Sequence, residues 1–414
     1  MTDPTDAQLA AQYESYPYPK RDPRDEAKRL VVGSPGHLRE IDHWVFGARR
    51  LASRPLRALI AGGGTGDATI MLAQQLAQAG RPGTVTWLDR SAAAERVARA
   101  RAEMRGLGNV DWERRSLLDL PGSGLGPFDY IDCCGVLHHL PDPAEGLRAL
   151  LSVLAPGGGI GLMVYAPHGR TGVYMMQDAL RVLAPAEEQP AARLDVAKRV
   201  MRHLPESAWL RRNTYFGDHI DGGDAGLYDL LLNPRDKSFT APALHALLSG
   251  AGLRPTCWLE PMRYDPATWL PDPKLRARAA SLDPITRAGL AEALTGNMST
   301  HAIYCIRDSE RVEPVDPNSA DAVPVAREMP GEELARNIRP DGTLPFLFDG
   351  LRVPVPLPSQ AAAILRLVDG RRTVGAIGAD LASRGTAPEA FARAWAGTFA
   401  PLERVNRLLL APQA

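Results

Sequence analysis

Only four cysteines, Cys133, Cys134, Cys257 and Cys305, stand in a chain of 414 residues. No Cys-x-x-Cys pair occurs, and an adjacent pair bridges only with strain, so no disulfide framework is indicated. Reduced, buried thiols in a cytoplasmic setting are the expectation. Lysine is scarce as well: Lys20, Lys28, Lys198, Lys237 and Lys274 are all there are, and arginine supplies the remaining positive charge. The formal net charge is zero, so no overall field argues for nucleic acid or an anionic membrane as partner. No apolar run approaches the ~20 residues of a membrane span, and the N-terminus is polar and acidic rather than signal-like. No catalytic metal cluster is visible. What remains is an ordinary globular composition, 45% hydrophobic and 23% charged, long enough for two or three domains of about 100–200 residues each.

Against that background one stretch stands out: residues 57–67, Arg-Ala-Leu-Ile-Ala-Gly-Gly-Gly-Thr-Gly-Asp. An apolar strand ends abruptly in glycines and opens into a helix-like segment, 68–79. Strand, glycine turn and helix start are the parts needed to hold an anionic or nucleoside-like ligand at the edge of a parallel sheet. Glycine lets the backbone approach a ligand without a Cβ clash. A second apolar strand, 85–88, ends at Asp89, roughly 20–25 residues beyond the glycines, where a carboxylate can take both hydroxyls of a ribose. Ser91 caps the next helix. Further strands follow at 110–112, 128–134 and 160–165, with a helix at 143–154 between the last two. Strands alternating with helices at these lengths require right-handed crossovers and a parallel sheet whose carboxyl ends share one rim. Dinucleotide sites show Gly-x-Gly-x-x-Gly, whereas the last two glycines here are only two apart, which argues against a nicotinamide enzyme.

Six motifs in order carry a resemblance: Ala-Gly-Gly-Gly-Thr-Gly at 61–66, Leu88-Asp89, Leu-Asp-Leu-Pro at 118–121, Phe-Asp-Tyr-Ile at 128–131, Val-Leu-His-His-Leu at 136–140, and Leu-Ala-Pro-Gly-Gly-Gly at 154–159. The set resembles class I S-adenosylmethionine-dependent methyltransferases, closely over about residues 55–166 and more weakly over two later strands at 253–259 and 300–307. The resemblance implies an α/β fold with a seven-stranded doubly wound sheet. It implies that Gly62, Gly63, Gly64, Thr65 and Gly66 cradle the methionine part of the cofactor, and that Asp89, with Arg90 beside it, holds the ribose. Ser116 and Leu117 would frame the adenine, and Gly135 and Val136 would line the sulfonium side. The chain departs from the family twice. Ile60 stands where many members have an acid two positions before the loop, and Ser116 where many have aspartate. Asp67 is the candidate to replace the first acid as partner of the cofactor's ammonium.

Outside this half, residues 1–54 bring Tyr13, Tyr16 and Tyr18, with Pro17 and Pro19 setting an extended, non-helical aromatic flap. A helix is expected over 37–53. Residues 167–235 read as a helical insertion, a lid or substrate wall, and 265–296 as a second helical excursion. Residues 308–340 have linker composition, and 341–414 resemble a small winged-helix module, suited to a peptide or partner more than to DNA. Methyl transfer needs a nucleophile aligned with the methyl group, and a nitrogen or oxygen acceptor can need a base poised near neutrality. His138, His139 and His168 are the candidate bases, while Tyr16 and Tyr165, with Tyr13 and Tyr18, are placed to orient the acceptor. The leading reading is a methyltransferase acting on an N or O atom of a small molecule or protein, with self-association left open. The other is a catalytically silent cofactor-binding scaffold that recruits a partner through its C-terminal unit.

Overall fold

The structure, a computed structural model, describes residues 4–215 and 217–412. Seven strands form one sheet: β1 (Leu56–Ala61), β2 (Gly83–Asp89), β3 (Val110–Arg114), β4 (Phe128–Cys134), β5 (Leu154–Tyr165), β6 (Leu253–Trp258) and β7 (Thr300–Arg307). Their spatial order is β3-β2-β1-β4-β5-β7-β6. The first five are parallel, while β7 runs antiparallel between β5 and β6. β1 shows why these segments are central strands: apart from Arg57 all its residues are buried, as a strand covered on both faces requires. Alternate residues feed two cores. Leu59, Ile131, Cys133 and Leu162 pack on one face with Leu147, Leu150, Leu244 and Leu248 of two flanking helices. Ala58, Ile60, Tyr130 and Tyr304 pack on the other with Leu72 and Leu76 of the helix Asp67–Gln78. All four cysteines are free, and burial pushes their thiols up.

The N-terminal segment differs from its expectation. Residues Pro4–Ser15 are helical, with Tyr13 on the helix. Proline restricts only the residue before it, so Pro17 and Pro19 constrain Tyr16 and Tyr18 and leave the preceding turns free. The helix expected over 37–53 is also far shorter: a turn at Leu38–Glu40 runs into a π-turn at Ile41–Val45. Gly47 and Ala48 both take φ of 59° and end it.

Between β5 and β6 the chain inserts helices at Val173–Leu183, Pro190–Arg202 and Gly223–Leu232, with shorter turns between them. Val173, Leu180, Leu194, Leu210 and Tyr228 give this insertion its own small core. Tyr16 stacks on Tyr228, ring centroids 5.2 Å apart, so the N-terminal segment and the insertion close over the rim together.

Residues expected as linker are drawn into the C-terminal unit. β8 (Pro324–Ala326) and a helix at Gly331–Arg336 bury Ala322, Ala326, Leu334 and Ala335 in its core. A few well-placed apolar residues outweigh the acidic, proline-containing composition around them. The unit continues through β9 (Thr343–Phe348) and β10 (Leu351–Pro356), an antiparallel hairpin whose turn, Asp349-Gly350, has positive φ at both residues, the geometry that favours Asp-Gly. Helices Val374–Ser383 and Pro388–Arg404 follow, and β11 (Leu408–Leu410) returns to pair with β8. The hairpin therefore precedes these helices, where the winged-helix expectation put a closing hairpin after them. Among the described residues no helix is long and apolar enough to cross a membrane.

Candidate active site

The carboxyl ends of the parallel strands meet at one rim, as doubly wound sheets require of a ligand site. Leaving β1, Gly62 and Gly63 donate their N–H groups to the Leu88 carbonyl at 2.8 and 2.9 Å. Gly62 has φ of 80°, and a Cβ there would stand 2.2 Å from Val136 Cγ2. A Cβ on Gly63 would meet the buried Trp87 ring at 2.2 Å, and that indole donates to the Gly64 carbonyl at 3.0 Å. The loop is thus fixed by its own amides and by the Trp87 indole, and Val136 and Trp87 pack so close that only glycine fits at 62 and 63.

Asp89, at the end of β2, accepts the Gly64 N–H on Oδ2 and the Ser91 N–H on Oδ1, each at 2.9 Å. Burial raises its pKa while those amides oppose the rise. Each oxygen keeps a further lone pair, and the carboxylate lies on the wall of a cavity of about 970 Å3. That is the pair of acceptors two neighbouring hydroxyls, such as a ribose diol, can donate to. An S-adenosyl cofactor fits the cradle: bare backbone at Gly62–Gly64, an acceptor pair at Asp89, and Ser116 and Leu117 further along the same wall.

Gly62, Gly63, Gly64, Asp67, Asp89, Arg90, Ser116, Leu117, Gly135 and Val136 all line this cavity, with Tyr13, Tyr18, His139 and Tyr165. Thr65 and Gly66 do not. Thr65 is buried and donates its hydroxyl to the Pro19 carbonyl at 2.7 Å, while Gly66, with φ of 101°, starts the helix. Tyr16 sits in the insertion's core. His138 is fully buried with both ring nitrogens unpartnered among the described residues, and its ring stacks on Tyr165 at 3.8 Å. Burial holds its pKa far below the usual histidine range, so it is neutral. His168 lies off the wall, in the loop after β5.

Asp67 lines the cavity already engaged. Arg21 reaches it at 2.5 Å and Arg101 at 2.7 Å. Burial opposes ionisation, but the two guanidiniums outweigh it and hold the carboxyl below its ordinary value. Its charge is spent within the protein. Ser116 accepts the Leu118 N–H, and Asp119 reciprocates on the Ser116 N–H, a capping box that orders this turn of the wall.

At the other end of the cavity a polar cluster gathers around Asp229, on the insertion helix Gly223–Leu232. Oδ1 accepts from the Tyr13 hydroxyl at 2.9 Å and from Gln12 at 3.2 Å, and Oδ2 accepts from the Tyr165 hydroxyl at 3.3 Å. Burial, then Asp229, keeps both tyrosines protonated far above their usual range. They are donors here, not bases. His139 Nδ1 lies 2.6 Å from the Arg235 carbonyl. A carbonyl only accepts, so Nδ1 carries the proton and Nε2 is the basic nitrogen.

Two wall residues escaped the sequence reading: Asp132 on β4 and Asp229. Each is a lone acid inside an apolar run, Tyr-Ile-Asp-Cys-Cys and Gly-Leu-Tyr-Asp-Leu-Leu. An acid in a buried segment is the signal that could have found both, because burial of a charge is costly without a purpose.

A seven-stranded sheet of this order, with a glycine turn and a carboxylate at its rim, defines a class I S-adenosylmethionine-dependent methyltransferase. A methyltransferase-domain family matches residues 59–160. An uncharacterized protein of Synechococcus is 32% identical over 302 residues, 71% of this chain and 70% of that protein, and the chain belongs to its family. The ubiquinone biosynthesis O-methyltransferase of Thiobacillus denitrificans is 34% identical over 33% of this chain, and the match spans only 53% of that enzyme. Among solved structures, PKMT2 from Rickettsia typhi in complex with AdoHcy shares the fold at 15% identity, with a TM-score of 0.59 over 91% of this chain and 75% of that one. The protein is an enzyme, and its cofactor is S-adenosylmethionine.

Proposed function

We propose that the chain methylates a nitrogen or oxygen atom of a small-molecule or protein acceptor seated against Tyr13, His139, Tyr165 and Asp229. The observation that carries this reading is the continuity of one cavity from the glycine cradle to the Asp229 cluster. When bound, S-adenosylmethionine supplies a methyl group on sulfonium, displaced in line. The protein's task is to align the acceptor and exclude water. Tyr13 and Tyr165, held by Asp229, orient the acceptor, and His139 Nε2 takes its proton. The N-terminal helix and the insertion cover the site. We assign the reaction to the cytoplasm and the C-terminal unit to the binding of a partner.

Titration calorimetry with S-adenosylhomocysteine should show binding, and Asp89→Ala should weaken it by about tenfold or more, through loss of charge-assisted hydrogen bonds to the ribose. Unchanged affinity would refute the ribose assignment. Tritiated methyl incorporation into fractions of a cell lysate identifies the acceptor class. His139→Gln should lower that incorporation by about 10²-fold or more while leaving S-adenosylhomocysteine affinity within twofold. Cofactor binding with no incorporation into any fraction would instead favour the silent scaffold.

A further inference from the structure

The acid missing before the glycine loop has a structural counterpart on the next strand. β1 and β4 pair in parallel register, with Ile60 opposite Asp132. Registered residues of neighbouring parallel strands point to the same face about 4.8 Å apart. Asp132 therefore projects beside the position the family's acid would occupy, and both residues line the cavity.

Its surroundings suit a cationic ligand. Asp132 is fully buried. Oδ2 accepts the Tyr130 hydroxyl at 3.0 Å, whereas Oδ1 has no partner among the described residues. No described arginine or lysine pairs with it, in contrast to Asp67, which two arginines already neutralise. The backbone also makes room for this carboxylate: Gly36, with φ of 103°, passes so close that a Cβ would stand 2.8 Å from Asp132 Oδ2. A buried carboxylate with an unpartnered oxygen beside a cavity is costly to the apo chain and favours a ligand bearing positive charge.

We propose that Asp132 binds the α-ammonium group of the cofactor's methionine part, replacing across the sheet the acid that Ile60 displaces on β1. The proposal rests on the cofactor reading above. It departs from the sequence expectation, which gave that role to Asp67.

The test compares two nucleosides by calorimetry: S-adenosylhomocysteine, which carries the ammonium, and 5′-methylthioadenosine, which lacks the amino-acid part. Asp132→Asn retains the acceptor for Tyr130 and removes only the charge. It should lose at least about tenfold in affinity for S-adenosylhomocysteine, as expected for a charge-assisted pair, and stay within twofold for 5′-methylthioadenosine. Ile60→Asp placed in that background restores the carboxylate one strand over and should recover much of the loss; it also serves if the single variant folds poorly. An Asp132→Asn chain that keeps wild-type discrimination between the nucleosides overturns the proposal alone. A wild-type chain that binds neither overturns the cofactor reading and the proposal with it.

Discussion

Replacing Arg327 by leucine should destabilise the protein by about 3 kcal/mol or more, the scale of breaking a buried ion pair by removing one partner. Glu40 is fully buried, and Arg327 bonds it through Nε. The same guanidinium donates to the Gly33 carbonyl at 2.8 Å and to Ser34 Oγ at 2.7 Å. Glu40 also accepts from the Tyr304 hydroxyl at 2.6 Å and from Asn406 Nδ2 at 2.5 Å. One carboxylate thus ties β7, the N-terminal segment and the C-terminal unit together. Leucine fills much of the volume but leaves Glu40 without its counter-charge. Glu40→Gln in the Arg327→Leu chain should recover part of the loss, because the uncompensated charge goes with it, so the two substitutions should be strongly non-additive. Urea unfolding of the four chains gives the coupling, and additive costs below about 1 kcal/mol each would show that the network is peripheral. Gly33 and Ser34 line the same cavity as Asp89 and Asp132. The Arg327→Leu chain should therefore also bind S-adenosylhomocysteine more weakly, a link between the C-terminal unit and the site.

That link could not be read along the chain, and the reason is separation. What was legible was local: glycines after an apolar strand, Asp89 after the next, Ser91 as a cap. Each is set within a few residues by turn geometry, hydrophobic patterning or capping. The pairings that give the site its charge are distant. Tyr13 meets Asp229 across 216 positions, and Arg101 meets Asp67 across 34. A glycine-loop acid looks free until the fold brings two arginines to it. Asp132 opposite Ile60 is a fact of register, and register follows from the packed sheet. The N-terminal helix was missed for another reason, since the reach of proline was extended over a whole segment when it governs one preceding residue.

Asp132 also predicts an unusual pH dependence. Burial pushes its pKa up to about 7, opposed by the Tyr130 hydroxyl and the Cys134 amide and reinforced by Glu40. Tyr304 on β7 closes the network around Glu40, and across the cavity Asp67 is held by Arg21 and Arg101. A carboxyl with a folded pKa above its unfolded value favours folding fully only below the unfolded value. Its contribution falls as pH rises and is gone above the folded pKa. With an unfolded value of about 4, the full difference of some three pH units corresponds to about 4 kcal/mol, of which roughly 2–3 kcal/mol falls between pH 5 and pH 8. Asparagine does not titrate, so Asp132→Asn without ligand should gain stability relative to wild type by that amount on going from pH 5 to pH 8. Urea unfolding of both chains at the two pH values measures it, and parallel pH profiles would show that Asp132 is not the strained acid described. Saturating S-adenosylhomocysteine should shrink the gain at pH 8, because its ammonium supplies the counter-charge the ligand-free chain lacks. A binding site that weakens the empty protein in this way is one whose charge is kept for the ligand.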